Sequence, residues 1–367
     1  MLPYSLDFFN SNARFITNSN VDGIAIKQDY ISGGDNQITI LNTDGVEDIS
    51  QGGYIRISRQ ETNQRYFGYI TGITKDAINN STITIKWTDL LSVFNVDWCI
   101  DTDVQHSGTA LEAFMAEQMQ QIAANVLTPG GSGISLQFTT TSSTTDWGFN
   151  LKSNHEGQHS VIVNFRSTII TRALKEYDIA INIEPEYGQE QITLKVTIGK
   201  ITENPKTIEA DLANVISKKI TMRDSTKDVN RLKVYNQENY AQTYTYYLGT
   251  DGNIHRVDQD GDNLQKYPVI FDTTDVKPSP SFVSAALAEA RSTFKQVSYL
   301  DLIEIEVANK DTLVNPLELS ITQKYDVIFD GTQYTTILTG KQTKSGTTVL
   351  TFGTNRLDLT QILRKRG

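Results

Sequence analysis

The chain has 367 residues, 38% of them hydrophobic and 21% charged, with 24 Gly and 8 Pro, which is the composition of a folded protein and not of a disordered or collagen-like one. Its length exceeds a usual single domain, so two to four folding units are expected. The formal charge is −10 and the one dense basic run is Arg364-Lys365-Arg366, so no face suited to tight phosphate binding is visible and specific nucleic-acid recognition is disfavoured. The single cysteine, Cys99, excludes an internal disulfide, and its neighbours Trp98 and Ile100 suggest a buried thiol in a reducing compartment. Met1 to Asp7 carries neither a basic n-region nor an apolar h-region, and no stretch approaches the ~18 apolar residues of a membrane span. The expectation is a chain without a signal peptide or a membrane span.

From Gly23 to Trp87 short alternating runs, such as Gln37-Ile38-Thr39-Ile40 and Tyr54-Ile55-Arg56-Ile57, predict a meander of strands closing into a small barrel or sandwich. Turns are expected at Ser32-Gly33-Gly34-Asp35, Asp44-Gly45, Gln51-Gly52-Gly53 and Asn79-Asn80, where residues tolerant of positive φ cluster. Near Ser107 the period changes. Thr109 and Glu112 have capping-box spacing, and Leu111, Met115, Met119, Ile122 and Val126 share a helical face that stops at Thr128-Pro129-Gly130-Gly131. The Thr/Ser-rich stretch to Thr145 reads as loop or weak edge strand. A second helix is predicted over Phe165 to Tyr177, leading into a hairpin of Ile179–Ile183 with Ile192–Ile198. A third follows Pro278-Ser279-Pro280-Ser281, with Val283, Ala286, Leu287, Ala290, Phe294 and Val297 on one stripe, and strands return after Leu302.

Two segments match in register. Tyr66-Phe67-Gly68-Tyr69-Ile70-Thr71-Gly72 and Tyr334-Thr335-Thr336-Ile337-Leu338-Thr339-Gly340 each run from a Tyr, over three residues, to an aliphatic residue and Thr-Gly. Each is preceded by an alternating strand (Tyr54 to Ser58, Tyr325 to Phe329) and followed by another (Ile83 to Trp87, Val349 to Phe352). In the second copy Asp330-Gly331 and Lys344-Ser345-Gly346 are hairpin cues. Because every meander imposes the same period, the pattern alone leaves duplication and coincidence both open.

The run Tyr325-Asp326-Val327-Ile328-Phe329-Asp330-Gly331-Thr332-Gln333-Tyr334, then Thr351-Phe352-Gly353 and Arg356-Leu357-Asp358-Leu359-Thr360, resembles the closing barrel of tail-tip (baseplate) hub proteins of long-tailed bacteriophages. The order of elements over the whole chain resembles that family, which includes the N-terminal hub parts of tail-associated lysins. The resemblance implies a mainly-β fold with α+β insertions. Its two similar β-barrel domains are 1–102 and the discontinuous 201–238 with 301–367; the two smaller domains are a helical α+β domain, 103–200, and an inserted domain, 239–300. Val229-Asn230-Arg231-Leu232-Lys233-Val234-Tyr235 would open the second barrel. The resemblance further implies a homotrimer that closes the tail tube and meets distal tail, tape-measure and receptor-binding proteins. DNA would pass transiently and without specific binding through a chain assembled in the host cytoplasm and carried in the virion. Two barrels in each of three chains would match a tube of sixfold rings. The chain ends in Ile362-Leu363-Arg364-Lys365-Arg366-Gly367 where lysins continue, so wall digestion is not expected.

No residue is singled out as catalytic, cofactor-binding or metal-binding. His155-Glu156-Gly157-Gln158-His159 matches the zinc-protease pattern H-E-x-x-H, which needs a helix to bring both imidazoles to one metal. Asn154 and Gly157 favour a turn, the β-branched run Ser160-Val161-Ile162-Val163 follows, and the nearest downstream acid, Glu176, lies at the far end of the next helix. Asp258-Gln259-Asp260-Gly261-Asp262-Asn263 imitates a calcium loop, but its glycine is fourth and Val269 stands where the twelfth-position acid belongs. Thr250-Asp251-Gly252-Asn253 reads as a hairpin tip. His106 and His255 have no nucleophile at recognisable spacing, and Glu304 and Glu306 alternate along a strand toward one solvent face. Two rivals remain: a peptidoglycan endopeptidase using zinc on His155 and His159, and a monomeric carbohydrate- or receptor-binding module.

Overall fold

The computed structural model describes residues 4–42, 45–59, 64–75, 81–101, 109–127, 133–145, 147–149, 160–187, 191–221, 229–249, 254–257, 271–278, 281–295 and 301–354. The first part of the chain holds β1 (Tyr4–Phe9), β2 (Phe15–Val21), β3 (Ile26–Asp29), β4 (Asp35–Leu41), β5 (Tyr54–Arg59), β6 (Gln64–Lys75) and β7 (Thr82–Asp89). All but β3 form a six-stranded sheet in the order β2-β1-β5-β6-β7-β4. Strict alternation along β4 turns Asn36, Ile38 and Ile40 inward. Ile38 and Ile40 meet Tyr4, Leu6, Phe8, Ile55, Ile57, Ile70, Ile85 and Trp87 in one core. Gly33, Gly45 and Gly52 have φ of 83°, 83° and 86° at three of the expected turns; the fourth, Asn79-Asn80, lies outside the described residues.

The middle of the chain is an α+β unit. β8 (Asp97–Asp101) and α1 (Leu111–Val126) are followed by β9 (Ile134–Thr140) and β10 (Ser160–Asn164). A π-helical turn over Phe165–Ile170 then runs into α2 (Thr171–Tyr177), and β11 (Ile179–Tyr187) and β12 (Ile192–Lys200) close the unit. The Thr/Ser-rich stretch is the edge strand β9, parallel to β12. The apolar stripe of α1 packs as the spacing predicts, with Leu111, Met115, Met119 and Ile122 all buried.

Two local expectations are corrected here. Ala110 is the N-cap of α1 and makes no side-chain cap bond; Glu112 points away from the helix end to Ser142 and Thr144, so no capping box forms. Cys99 is exposed, because alternation along β8 turns Ile100 inward and leaves Cys99 opposite the exposed Ile162 of β10.

β13 (Glu203–Glu209) and β14 (Val215–Thr221) lead to an inserted unit of β15 (Arg231–Asn236), β16 (Asn239–Leu248), β17 (Ile254–His255), β18 (Phe271–Val276) and α3 (Phe282–Lys295). The last part of the chain is β19 (Leu302–Ala308), β20 (Lys324–Phe329), β21 (Thr332–Thr343) and β22 (Thr347–Phe352). These four join β13 and β14 in the order β13-β20-β21-β22-β19-β14, with β3 added on β21 as a seventh strand. The strand Arg231–Asn236 does not open this sheet, contrary to what the resemblance implied. It pairs with β16 and β18, and its Leu232 and Val234 pack on Phe282, Ala286, Ala290 and Phe294 of α3. The alanine stripe lets the helix lie close to that strand.

The repeat seen in the sequence is a four-strand unit built twice. β4-β5-β6-β7 and β19-β20-β21-β22 follow the same chain order and the same spatial order. Their registers agree pair by pair: Tyr54 faces Tyr69 as Lys324 faces Ile337, Ile70 faces Trp87 as Leu338 faces Phe352, and Ile38 faces Ile85 as Ile305 faces Leu350. The shared Thr-Gly is a β-bulge in both copies, with the register shifting between Ile70 and Gly72 and between Leu338 and Gly340. Upstream of each bulge the chain turns through a residue of positive φ. Gly52 (φ 86°) donates to the Ile70 carbonyl at 3.0 Å, and Thr322 (φ 70°) donates to the Leu338 carbonyl at 2.8 Å. A left-handed threonine is uncommon and costs backbone energy, so a positive-φ turn kept by Thr322 where the first copy has Gly52 marks common architecture over shared period.

Candidate functional site at the junction of the sheets

Buried polar contacts join the two sheets and the α+β unit where they meet. β3, which lies between β2 and β4 in the chain, pairs with the end of β21, Asp29 opposite Gly340 and Ile26 opposite Thr343. Its continuation carries the contact further, since the Tyr30 N–H donates to the Thr339 carbonyl at 2.9 Å and the Tyr30 hydroxyl accepts from the Ile181 N–H at 3.0 Å. One tyrosine therefore ties three units, and its burial holds the phenol well above its ordinary pKa.

Arg166, at the start of the π-helical turn, is 3% exposed and acts as the second tie. Nη2 donates to the carbonyls of Asp29 (2.7 Å) and Tyr30 (3.0 Å), Nη1 donates to Ser92 Oγ (2.6 Å), and Nη1 lies 3.8 Å from Asp89. Asp89 caps the 3-10 turn Leu90–Phe94 through the Ser92 N–H (2.8 Å) and accepts from the Gly34 N–H (3.2 Å). Burial raises the Asp89 pKa, and Arg166, Ser92 and Gly34 hold part of that shift back. A buried, fork-shaped cation among carbonyls fixes orientation, and removing it would strand several acceptors.

Beside these ties lies a cleft of about 710 Å³ lined by Arg65, Tyr66, Glu184, Lys200, Lys341 and the segment Leu319–Gln323, continuous with a smaller hollow of about 190 Å³ over Asp29, Tyr30 and Asp89. Lys341 is 7% exposed, its Nζ donates to the Leu319 carbonyl at 2.8 Å, and burial pushes its pKa down to about 8. Among the described residues, the lining of neither hollow includes His or Cys. The arrangement joins rigid parts.

Of the residues weighed in the sequence, His155, His159, His106, Glu156 and the runs Thr250–Asn253 and Asp258–Asn263 lie outside the described residues. No group of three or more His, Cys, Asp or Glu among the described residues could hold a metal ion. Glu306 accepts from Ser217 (3.2 Å) and Thr347 (2.8 Å), and Glu304 stands 3.9 Å from Lys219, so both work within the sheet. No described helix is long and apolar enough to cross a membrane. The junction residues are not among the candidates that the sequence offers. Two signals were present: the Asp-x-x-Ser spacings Asp29-Ser32 and Asp89-Ser92, which mark capped turns, and Arg166 next to Phe165 at the head of an apolar helix face.

Comparison of the whole chain with known proteins places this architecture. No family model and no curated sequence matches it. The fold is similar to the 43 kDa tail protein of prophage MuSo2 from Shewanella oneidensis, at TM-score 0.51 and 13% identity over 95% of this chain and 98% of that one. It is similar also to the tail protein from Neisseria meningitidis MC58, at TM-score 0.54 and 10% identity over 95% and 96%. The chain has the fold of phage tail proteins. The coverage is nearly complete in both directions, so the likeness takes in both sheets, the α+β unit and the insertion, and the mainly-β class expected from the sequence is the observed one. At these identities the likeness is one of fold.

Proposed function

We propose that the chain is a structural component of a phage tail tip. In this reading it is a homotrimeric hub that closes the tail tube, links it to host-recognition proteins and leaves a channel for DNA. The observation that carries the proposal is the four-strand unit built twice in one register, in a chain whose fold is that of tail proteins. Three copies would present six such units, which resolves the mismatch between a threefold tip and sixfold tube rings. The junction supports a structural role: two sheets locked by a shared strand and by a buried arginine cannot pivot freely. The net charge of −10 favours sliding of DNA over sticking, because like charges repel at close range.

The partners in this reading are tail tube, distal tail, tape-measure and receptor-binding proteins, its location is the virion tail tip after assembly in the host cytoplasm, and no catalytic step is assigned to it. The deciding experiment is mass in solution by light scattering on the full chain, with negative-stain images of the species found. A trimer, or threefold rings with six lobes, is the expected result. A strict monomer at all concentrations, alone and with isolated tail tubes, would overturn the proposal and favour a binding module. Measured zinc near one per chain would revive the endopeptidase reading.

A further inference from the structure

The two copies of the four-strand unit differ in one respect that their common register exposes. In each, the long strand outruns its antiparallel partner: β5 begins opposite Tyr69 and β20 begins opposite Ile337, so the last residues of β6 and of β21 lie beyond β5 and β20 and meet only β7 or β22 of their own unit. In the second copy β3 fills the open side, pairing Gly340, Lys341, Gln342 and Thr343 with Asp29, Gln28, Lys27 and Ile26. The equivalent residues of the first copy, counted from the bulge, are Gly72, Ile73, Thr74 and Lys75. Among the described strands none pairs with them on that side. Burial follows the difference. Thr339, Lys341 and Thr343 are 0%, 7% and 2% exposed, whereas Thr71 and Lys75 are exposed and Ile73 is half-buried.

The direction of the unpaired groups can be read off the occupied copy. The N–H and C=O of Lys27 are both bound by the Asn36 side chain, at 2.7 and 3.0 Å, so alternation turns the main chains of Gln28 and Ile26 toward Lys341 and Thr343. By equivalence Ile73 and Lys75 present donor and acceptor to the empty side, and Thr71 presents the carbonyl that in Thr339 is taken by Tyr30. The stretch contains no proline and one terminal charge. The outer strand β14, by contrast, carries Lys218 and Lys219, the usual protection of an edge against pairing.

We propose that the open side of β6 at Gly72–Lys75 receives an extended segment of a second copy of this chain, repeating between copies the sheet-to-sheet pairing that β3 and β21 make within one. The inference rests on the trimeric reading above and deepens it. A second copy is the occupant because the same edge in the same unit is already covered by this chain. Contacts of one kind, made alternately within and between chains, close a ring of six units from three copies, which is a head-to-tail interface of closing rotation. Pairing of this kind is strand addition, with main-chain bonds supplying affinity.

The test is amide hydrogen exchange by mass spectrometry on the full chain, assembled and dissociated by dilution, together with the variant Ile73→Pro. Proline at 73 removes one N–H from the open side and none from the ladder to β7, and gives up the packing of the half-buried Ile73 side chain on the first core. The expected result is slowing of the Ile73 and Lys75 amides by at least about tenfold on assembly, with I73P folded but its assembly weakened by at least about tenfold. Assembly with these amides unprotected, or I73P assembling like the wild type, would overturn the edge proposal and leave the hub reading standing. Absence of any assembly would overturn both. Should I73P fail to fold, exchange in the wild-type chain alone decides.

Discussion

The first and second sheets share strand order, register, bulge and even the positive-φ residue before the bulge, yet differ in what lies outside the shared four strands. β1 runs antiparallel to β5, while β13 runs parallel to β20 in the same spatial place. The bulge at Thr71 or Thr339 fixes how two strands slide past each other, because one extra residue admits one pairing only. Nothing comparable fixes the neighbours beyond β5 or β20, and there the two copies diverge. The inner unit is thus set by local sequence, and the outer strands by whatever the rest of the chain brings.

The comparison breaks most directly at Arg166, which serves the junction and belongs to neither sheet. Arg166→Ala should cost about 3–5 kcal/mol, since it leaves the Asp29 and Tyr30 carbonyls and Asp89 buried without their cation. Thermal unfolding should then show the transition broadening or splitting as the sheets uncouple; an unchanged single transition would mean the junction does not join them. Inside the repeat the copies should answer alike. Ile70 and Leu338 are both 0% exposed and sit at matching bulge positions, so either change to Ala should cost about 2–5 kcal/mol. Costs differing more than twofold would show that equal register does not mean equal packing.

Much of this was legible in advance, for physical reasons that can be named. The repeat showed because Thr-Gly at a bulge and Asp-Gly at a hairpin are residue types the backbone demands. The helices showed because an apolar stripe at helical spacing has one reading, and α1 and α3 follow it. The resemblance puts the strand Arg231–Asn236 in the second barrel, and its alternation cannot correct that, because alternation records that a face is buried and not what buries it; the Ala286 and Ala290 stripe of α3 is what covers it. The junction stayed hidden for a related reason. Arg166 lies in sequence far from Asp29 and Asp89, and main-chain acceptors leave no mark in the sequence. Thr322, whose glycine counterpart Gly52 is an obvious turn residue, hid the turn it makes.

Lys341 separates the copies by charge, since Ile73 stands at its place in the first sheet. Its folded pKa, about 8, lies below the ordinary lysine value of 10.5, so the unfolded chain binds more protons between those two values. Stability should therefore rise with pH over that window, by up to about 3 kcal/mol, and Lys341→Met should abolish the rise while leaving the protein more stable at neutral pH. The difference between wild type and K341M in denaturant titrations at pH 7.5 and pH 10 isolates this lysine from the tyrosines. Parallel behaviour of the two proteins would place its ammonium in water.

The smallest effect should fall on the bulge threonines, where sequence identity meets different surroundings. Thr339 Oγ1 donates to the Gly353 carbonyl at 2.5 Å, in a site with no solvent exposure, so Thr339→Val should cost about 1–2 kcal/mol. Thr71 is exposed at the same position, and in the dissociated chain Thr71→Val should stay within about 0.5 kcal/mol of wild type. Urea midpoints of the two variants measure that gap. If the costs were equal, the hydroxyl would matter to the bulge itself, and the conserved Thr-Gly of the repeat would be a backbone requirement. If only the second-copy change costs, the threonine serves the covered edge, and its presence at the uncovered edge of β6 is what a strand still to be covered would need.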